Sequence, residues 1–402
     1  MARQEHVVVD PAKHAPGART DPRVRTPTAT VNRGPRSASW TDDLQREILR
    51  VSCWLDPGDQ GSARPTKILF TGRRVGATGK PGAGDRFSKQ ETLDRVVGGS
   101  GPVSVTTKVS GINPGEWIVT ARVVGKAAPT LIEPLPSMSR NGADRSKALL
   151  WPWSYRSMST SPRPHVRTTL IPFAPIPGVI PGAYSMFVLL GIVAGLAVQA
   201  LVLAGSGLPV REALTVSLWA VVAGVIGAKA WYVIGHRGKR FNGWCIQGFV
   251  LGAAGVAAIF ATARLSMPVG TYLDSMAPGL LVGMAIGRLG CFLAGCCCGR
   301  PTRSRWGVWS SDQKVGARRI PTQLLESSLS SVIALSALVL VLTSTAVRPG
   351  GIFLGGLAAY TLGRQFILPL RARPLYTRFG RPVALGAATV AMAAAIVWSV
   401  VG

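Results

Sequence analysis

Seven long apolar runs beyond residue 180 constrain this chain more than any other feature. The first run, 183–205, carries no charged residue over its whole length, and about 20 consecutive apolar residues are enough to cross a bilayer. A segment inside lipid must satisfy its own backbone groups, so each run is predicted to be helical. We therefore predict an α-helical polytopic membrane bundle of about seven transmembrane helices. The remaining six runs span 213–235, 244–263, 272–296, 323–346, 350–370 and 383–401.

The first 175 residues have a different pattern. Short apolar-alternating runs bounded by Gly, Pro and Asp occupy residues 45–128. This spacing is typical of a small antiparallel β-sandwich, similar to immunoglobulin or fibronectin modules. We predict an all-β sandwich-like soluble domain with Trp54 and Trp117 in its core. The predicted organisation is a disordered basic tail (1–44), the β-domain (45–128), a Pro/Ser/Arg-rich linker (129–175) and the transmembrane domain (176–402).

The net charge of +27 at first suggests a nucleic-acid partner. However, the basic residues are scattered through the N-terminal tail or lie in loops between the apolar runs, and only four of the 18 acidic residues lie beyond residue 170. Cations in such loops set membrane topology or meet anionic headgroups. We therefore predict membrane lipids, and no nucleic acid, as partners.

Charged residues that lie within the apolar runs include Lys229, Arg288, Glu326 and Arg364. A charge inside a span is costly and usually faces a polar cavity or an ionic partner. Lys229 is near a helix end, where snorkelling is an alternative, and Glu326 has the alternative of pairing with one arginine. Arg288 and Arg364 offer planar forks of donors that match phosphate oxygens. Their presence indicates an anionic ligand that enters from the bilayer, and a phospholipid headgroup is the simplest candidate.

A cysteine cluster follows Arg288 in the pattern C-x4-C-C-C, at residues 291 and 296–298. Zinc ligands usually come as C-x2-C with a distant second pair or with histidines. No second cluster exists, and His236 is the only histidine beyond residue 165. Metal binding and redox chemistry remain alternatives, but we interpret these cysteines as small residues packed in a tight helix-to-loop turn. The sequence thus predicts neither a metal nor a cofactor.

The stretch GRLGCFLAGCCCGRPT (287–302), followed by PTQLLES (321–327), resembles the signature region of the prolipoprotein diacylglyceryl transferases. It is most similar to a divergent branch in which the usual GRxGN reads GRxGC. The segment AYTLGRQFILPLR, which contains Arg364 and Arg371, is similar to the YGxxRFxxExxR segment of that family. The resemblance covers about residues 175–400.

The resemblance implies an enzyme of the bacterial inner membrane whose partners are phosphatidylglycerol and prolipoprotein signal peptides with a lipobox cysteine. Such an enzyme moves the diacylglyceryl group onto the cysteine thiol, forms a thioether and releases glycerol phosphate. We expect a monomer. The implied catalytic positions are Arg288, Arg364 and Gln247. Arg288 is also an implied substrate-binding position, together with Tyr184, Lys229, Cys291, Gln323, Glu326 and Arg371.

Several positions depart from the family pattern. Gln247 stands where the family has a histidine, and a glutamine is no general base. Cys291 replaces an asparagine, Leu368 a glutamate and Ile320 a histidine. Two interpretations follow: the base is another group, such as Glu326 or a lipid phosphate oxygen, or the chain is a catalytically altered paralogue that binds anionic lipid or a lipoprotein partner.

Membrane orientation is also open from sequence. The loops 236–243, 297–320 and 371–382 hold 3, 6 and 4 Lys and Arg residues. The positive-inside rule would place these loops, and the N-terminus with them, in the cytoplasm. The resemblance implies the opposite orientation, with the N-terminus outside.

Overall fold

The computed structural model describes residues 47–57, 64–76, 84–124, 130–132, 165–170, 176–235, 245–343, 348–372 and 379–400. All of them belong to one unit, Trp40–Gly402. The tail predicted at 1–44 lies outside the described residues, as does most of the linker predicted at 129–175.

The N-terminal part forms two antiparallel sheets. The strands are β1 (Glu47–Asp56), β2 (Arg64–Arg74), β3 (Arg86–Val96), β4 (Val103–Val109), β5 (Glu116–Val124), β6 (Thr130–Ile132), β7 (His165–Arg167) and β8 (Thr169–Leu170). One sheet has the order β3-β2-β5-β7, and β6, β1 and β4 are neighbours in the other, where β8 also pairs with β1. Strands β6 to β8 lie inside the segment predicted as a linker.

A single apolar core joins the two sheets. Leu55 of β1 and Val105 of β4 are buried together with Phe70 of β2 and Trp117 of β5. Trp117 is fully buried and Trp54 is 5% exposed, which confirms both as core residues. Two sheets around one core suit the predicted sandwich, whose immunoglobulin- or fibronectin-like topology stays a prediction.

Each of the seven predicted apolar runs contains a helix. The helices are α1 (Ala183–Gly205), α2 (Val210–Gly235), α3 (Ile246–Arg264), α4 (Val269–Leu293), α5 (Thr322–Thr343), α6 (Gly351–Ile367) and α7 (Gly380–Val400). Among the described residues, six helices are long and apolar enough to cross a membrane. Helix α3 is the remaining one, because its apolar stretch, Ile246–Phe260, is shorter. A polytopic helical membrane bundle is therefore confirmed, whereas the count of about seven spans stays a prediction.

Glycines bring α1 and α4 into close contact. A Cβ atom added at Gly195 would lie 2.7 Å from the carbonyl oxygen of Gly279, and one added at Gly191 would lie 2.7 Å from that of Gly283. Lipid tails provide no hydrophobic force between helices, so such close backbone approach is a main source of stability. This contact fixes α4, which carries Arg288, against the first span.

A hairpin in the loop between α4 and α5 connects the two parts of the molecule. Its strands are β9 (Val308–Ser311) and β10 (Val315–Arg319). Strand β10 pairs with β4 through Val315↔Val105 and Gly316↔Ser104, which extends the first sheet to β6-β1-β4-β10-β9. The end of α4 and the start of α5 therefore lie beside the β-domain.

Candidate functional site

A buried carboxylate joins three elements at the β-domain end of the bundle. Glu326, in the first turns of α5, is fully buried. Its Oε2 lies 2.7 Å from Nε of Arg288, near the end of α4. Its Oε1 accepts a hydrogen bond from Arg371, which follows a 3-10 turn (Leu368–Leu370) after α6. The sequence suggested one arginine partner for Glu326, and the structure places two there.

Helix α6 adds a tyrosine and a third arginine. An NH2 group of Arg288 donates to the hydroxyl of Tyr360 at 3.5 Å, the long limit of a hydrogen bond. Arg364 lies four residues after Tyr360, and residues at this spacing share one face of a helix. Arg364 thus lies on the face of α6 that carries Tyr360.

Two of the three guanidinium groups retain unused donors. The Nε atoms of Arg364 and Arg371 are buried and have no hydrogen-bond partner among the described residues. Arg288, Arg364 and Arg371 carry three positive charges against one negative charge on Glu326. A buried cation without a partner is strongly unfavourable. The arrangement therefore favours an additional anion, and the fork of an arginine suits the oxygens of a phosphate.

Three cysteine sulfurs converge beside this cluster. The Sγ atoms of Cys291, Cys296 and Cys297 all lie within 4.8 Å of one another. Cys291 lies in the last turn of α4 and is buried, whereas the other two lie in the following loop and are partly exposed. Both Arg288 and Arg371 interact electrostatically with the Cys297 thiol. The spacing in the sequence did not predict this convergence.

Backbone geometry and hydrogen bonds hold the cysteine loop in place. Cys297 has φ 56°, a left-handed conformation that side-chain-bearing residues rarely adopt. The carbonyl of Cys297 accepts from Thr322 Oγ1 at 3.1 Å, and that of Cys296 accepts from Gln323 Nε2 at 2.8 Å. The start of α5 thus positions the loop while Gln323, an implied substrate-binding residue, serves as its clamp.

The fourth cysteine points elsewhere. The Cys298 thiol donates to the carbonyl of Ser311 in β9 at 3.3 Å, and burial raises its pKa to about 11. In contrast, hydrogen bonds from the Cys291 and Cys296 thiols, and then the charges of Arg371 and Arg288, lower the pKa of Cys297. One cysteine of the cluster therefore has a structural role, and the thiols of the other three share one environment.

The other predicted site residues are distributed unevenly. Tyr184, in the first turn of α1, interacts electrostatically with the three clustered thiols and with Arg288. Lys229 is half-buried on α2, and α2 packs chiefly against α3. Gln247 is exposed at the start of α3, where its Oε1 accepts from the Cys245 thiol at 2.8 Å. No hydrogen bond described for Gln247 links it to the arginine cluster.

Two residues of the region were not identified from the sequence. Tyr360 contacts Arg288, and its position one helical turn before Arg364 was the available signal. Arg319 is 3% exposed, and its NH2 lies 3.0 Å from Asp312 Oδ2 while its NH1 donates to the Gly299 carbonyl at 3.2 Å. The loop cation count assigned Arg319 to topology, but it stabilises the cysteine loop.

Comparisons with known proteins agree with this location. The family model described as prolipoprotein diacylglyceryl transferase matches residues 176–402, which include every site residue named above. A protein of Frankia alni named phosphatidylglycerol--prolipoprotein diacylglyceryl transferase is 31% identical over 208 residues, 47% of this chain and 54% of the relative. A Clostridium tetani protein of the same name is 28% identical over 167 residues, covering 38% and 66%. A Tropheryma whipplei protein of that name is 31% identical over 175 residues, covering 39% and 64%. The chain thus spans less than two thirds of the length of these relatives.

Proposed function

Because this chain belongs to the prolipoprotein diacylglyceryl transferase family, we propose that it transfers the diacylglyceryl group of phosphatidylglycerol to the lipobox cysteine thiol of a prolipoprotein. The observation that carries the proposal is the pair of arginines, Arg288 and Arg371, on the buried Glu326, with Arg364 on the face of α6 that carries Tyr360. This group has surplus positive charge and unused donors at a membrane-embedded location. A phosphate ester that enters from the bilayer meets both requirements.

The proposed transfer reaction requires stabilisation of a leaving phosphate. The substrate sulfur forms a bond to a glyceryl carbon, and the bond from that carbon to the phosphate oxygen breaks with its electron pair on the oxygen. The product is a thioether, and glycerol phosphate leaves with additional negative charge. Preorganised cations in a dry site stabilise such a charge as it develops. Arg364 and Arg288 would bind the phosphate oxygens, and Glu326 would hold Arg288 and Arg371 in position.

The proton of the acceptor thiol needs another route than Gln247. A glutamine amide is no base at neutral pH, and Gln247 is exposed and bonded to Cys245. Glu326 has both carboxylate oxygens engaged by arginines, which makes it a positioning residue rather than a base. A phosphate oxygen of the lipid remains a proton acceptor that the substrate itself supplies.

The cellular setting follows from the same proposal. We infer a multi-pass protein of the bacterial inner membrane that acts as a monomer. Its partners would be phosphatidylglycerol and the signal peptides of prolipoproteins. Exposed apolar side chains on the spans, such as Leu201 at 73% and Ile234 at 74%, suit contact with lipid.

A reconstituted assay tests the activity. The purified full chain is placed in phosphatidylglycerol vesicles with a lipobox peptide, and the diacylglyceryl thioether is measured by mass spectrometry. We expect product with the wild-type chain and none with Arg288→Ala. Arg348→Ala, which removes an exposed arginine near the opposite end of the bundle, is the matched control and should retain activity.

A second candidate function rests on Gln247. If proton transfer has been lost, the chain is a membrane protein that binds anionic lipid without turnover. Retention of phosphatidylglycerol by the purified wild-type chain, its loss in Arg288→Ala, and no thioether beside an active relative would favour this function over the transferase.

A further inference from the structure

The arginine cluster does not account for the three thiols beside it. Cys291, Cys296 and Cys297 approach from two directions, one from the last turn of α4 and two from the loop. Their sulfurs lie within 4.8 Å of one another. Three sulfurs of a tetrahedral zinc site lie about 3.8 Å apart, because each Zn–S bond is about 2.3 Å long. Small side-chain rotations would bring the observed group to that geometry.

The loop is built in a way that simple packing does not require. Cys297 retains a left-handed backbone at φ 56°, which costs of order 1 kcal/mol for a residue other than glycine. Thr322 and Gln323 bind the carbonyls of Cys297 and Cys296. Strain that the surrounding structure maintains is typical of ligand and active sites. Here its effect is to turn two adjacent thiols towards Cys291.

The charges around the thiols match a zinc thiolate complex. Three thiolates with one Zn²⁺ carry a single negative charge. Arg288, Arg364 and Arg371 with Glu326 leave two positive charges, and both Arg288 and Arg371 interact electrostatically with Cys297. The complex would therefore lower the net charge of the cluster from two to one, which reduces the cost of burying it and leaves one positive charge for the phosphate.

Resting on the transferase function proposed above, we propose that Cys291, Cys296 and Cys297 bind one zinc ion whose fourth position takes the acceptor cysteine thiol. Zinc sites with three protein ligands and one open position are catalytic, whereas structural sites are closed by four. Cys298, the remaining nearby cysteine, is turned towards Ser311. Partial exposure of Cys296 and Cys297 leaves an open side to the group.

The zinc ion would supply the deprotonation that Gln247 does not. When the acceptor thiol coordinates zinc, its S–H bond breaks, the proton goes to water and the sulfur becomes a bound thiolate. This sulfur then forms the bond to the glyceryl carbon while the bond from that carbon to the phosphate oxygen breaks. The neutral thioether leaves the zinc, and the released phosphate monoester takes up a proton. No oxidant or reductant is needed.

A metal-binding measurement tests the site without turnover. The full chain is purified in detergent, its metal is removed with a chelator under reducing conditions, and Zn²⁺ or Co²⁺ is added. We expect one ion per chain and, for Co²⁺, sulfur-to-cobalt charge-transfer absorption with the bands of a tetrahedral site. Cys291→Ser and Cys297→Ser should lose the ion. Cys298→Ser, the matched control, should retain it.

A second measurement tests the open position. A lipobox peptide added to the Co²⁺-loaded protein should increase the charge-transfer absorption, and the same peptide with serine in place of its cysteine should not. Absence of stoichiometric binding, or equal binding by Cys297→Ser, would overturn the zinc site. Binding without response to the cysteine peptide would overturn the role of the fourth position.

These outcomes separate this inference from the proposed function. Thioether formation by chelator-treated wild-type protein at an unchanged rate would refute the zinc role and leave the transferase standing. One bound zinc per chain that responds to the peptide, without any thioether product, would support the zinc site and refute the transferase function. Loss of two thiols to a disulfide on mild oxidation, with no zinc uptake after reduction, would also count against the site.

Discussion

Glu326 Oε2 lies 2.7 Å from Nε of Arg288, so a carboxylate from α5 neutralises a guanidinium that α4 holds within the membrane bundle. The other carboxylate oxygen binds Arg371. Both oxygens are thus used in holding arginines. This geometry indicates that Glu326 organises the anion site and leaves the donors of Arg364 for the ligand.

Replacing Glu326 by glutamine should therefore impair both stability and activity. An amide keeps the shape but leaves Arg288 and Arg371 without a counter-charge, and breaking a buried ion pair costs about 3 kcal/mol. We expect a lower thermal midpoint in detergent and a fall in the kcat of thioether formation.

Asp274→Asn is the matched control for this change. Asp274 is a buried carboxylate that accepts from the backbone N–H groups of Gly350 at 2.7 Å and Phe353 at 2.8 Å. Its loss should destabilise the start of α6 while kcat at low temperature stays close to wild type. Equal kcat in Glu326→Gln and Asp274→Asn would contradict the role assigned to Glu326.

Arg364 tests whether geometry or charge stabilises the leaving phosphate. Arg364→Gln should lower kcat by about 10²-fold, the usual effect of removing one donor to a developing charge. Arg364→Lys keeps the charge but loses the planar fork, so we expect only partial recovery. Full activity in Arg364→Gln, measured by mass spectrometry of the peptide product, would exclude Arg364 from the phosphate site.

How far the sequence predicted this molecule depends on the type of signal. The spans were predictable because a helix that crosses lipid must contain about 20 apolar residues. Arg288 and Arg364 were recognisable because a charge inside a span is costly and usually serves a function. Pairing of β10 with β4 was not predictable, because its register consists of just two residue pairs, Val315↔Val105 and Gly316↔Ser104. The convergence of the thiols was also hidden, since it depends on the positive φ of Cys297 and not on spacing.

Trp309 should control the attachment of the β-domain to the membrane bundle. It is 3% exposed, stacks on Trp54 with ring centroids 5.6 Å apart, and donates to the Pro102 carbonyl at 3.1 Å. Trp309→Ala should cost about 3–5 kcal/mol locally. We expect faster hydrogen exchange at Thr106, whose N–H bonds to the Lys314 carbonyl across the β4–β10 junction.

Trp306→Ala is the control for that experiment. Trp306 lies in the loop just before β9 and is 75% exposed. Its loss should leave exchange at the junction unchanged. Similar exchange rates in the two tryptophan variants would mean that the stacked pair does not hold the junction.

Gly195 and Gly255 should respond to alanine in opposite directions. A Cβ atom at Gly195 would lie 2.7 Å from the Gly279 carbonyl oxygen, so Gly195→Ala should force α1 and α4 apart. Gly255, within α3, has nothing within 4 Å of such an atom, and alanine there gains up to about 1 kcal/mol of helix propensity. Thermal midpoints in detergent should fall for the first variant and hold or rise for the second.

Cys53 provides a probe of the β-domain that is independent of the membrane site. Burial raises its pKa to about 12, and a hydrogen bond to its own backbone opposes this only in part. The thiolate is the reactive form, so at pH 8 the native thiol should be roughly 10³-fold less reactive than a free cysteine of pKa about 8.5.

Because the folded-state pKa of Cys53 lies above the unfolded one, this group favours folding below about pH 8.5, and that contribution is lost as the pH rises towards 12. Iodoacetamide labelling followed by peptide mass spectrometry should find Cys53 unmodified at pH 8 and modified in urea, whereas rapid native labelling would show that β1 opens readily.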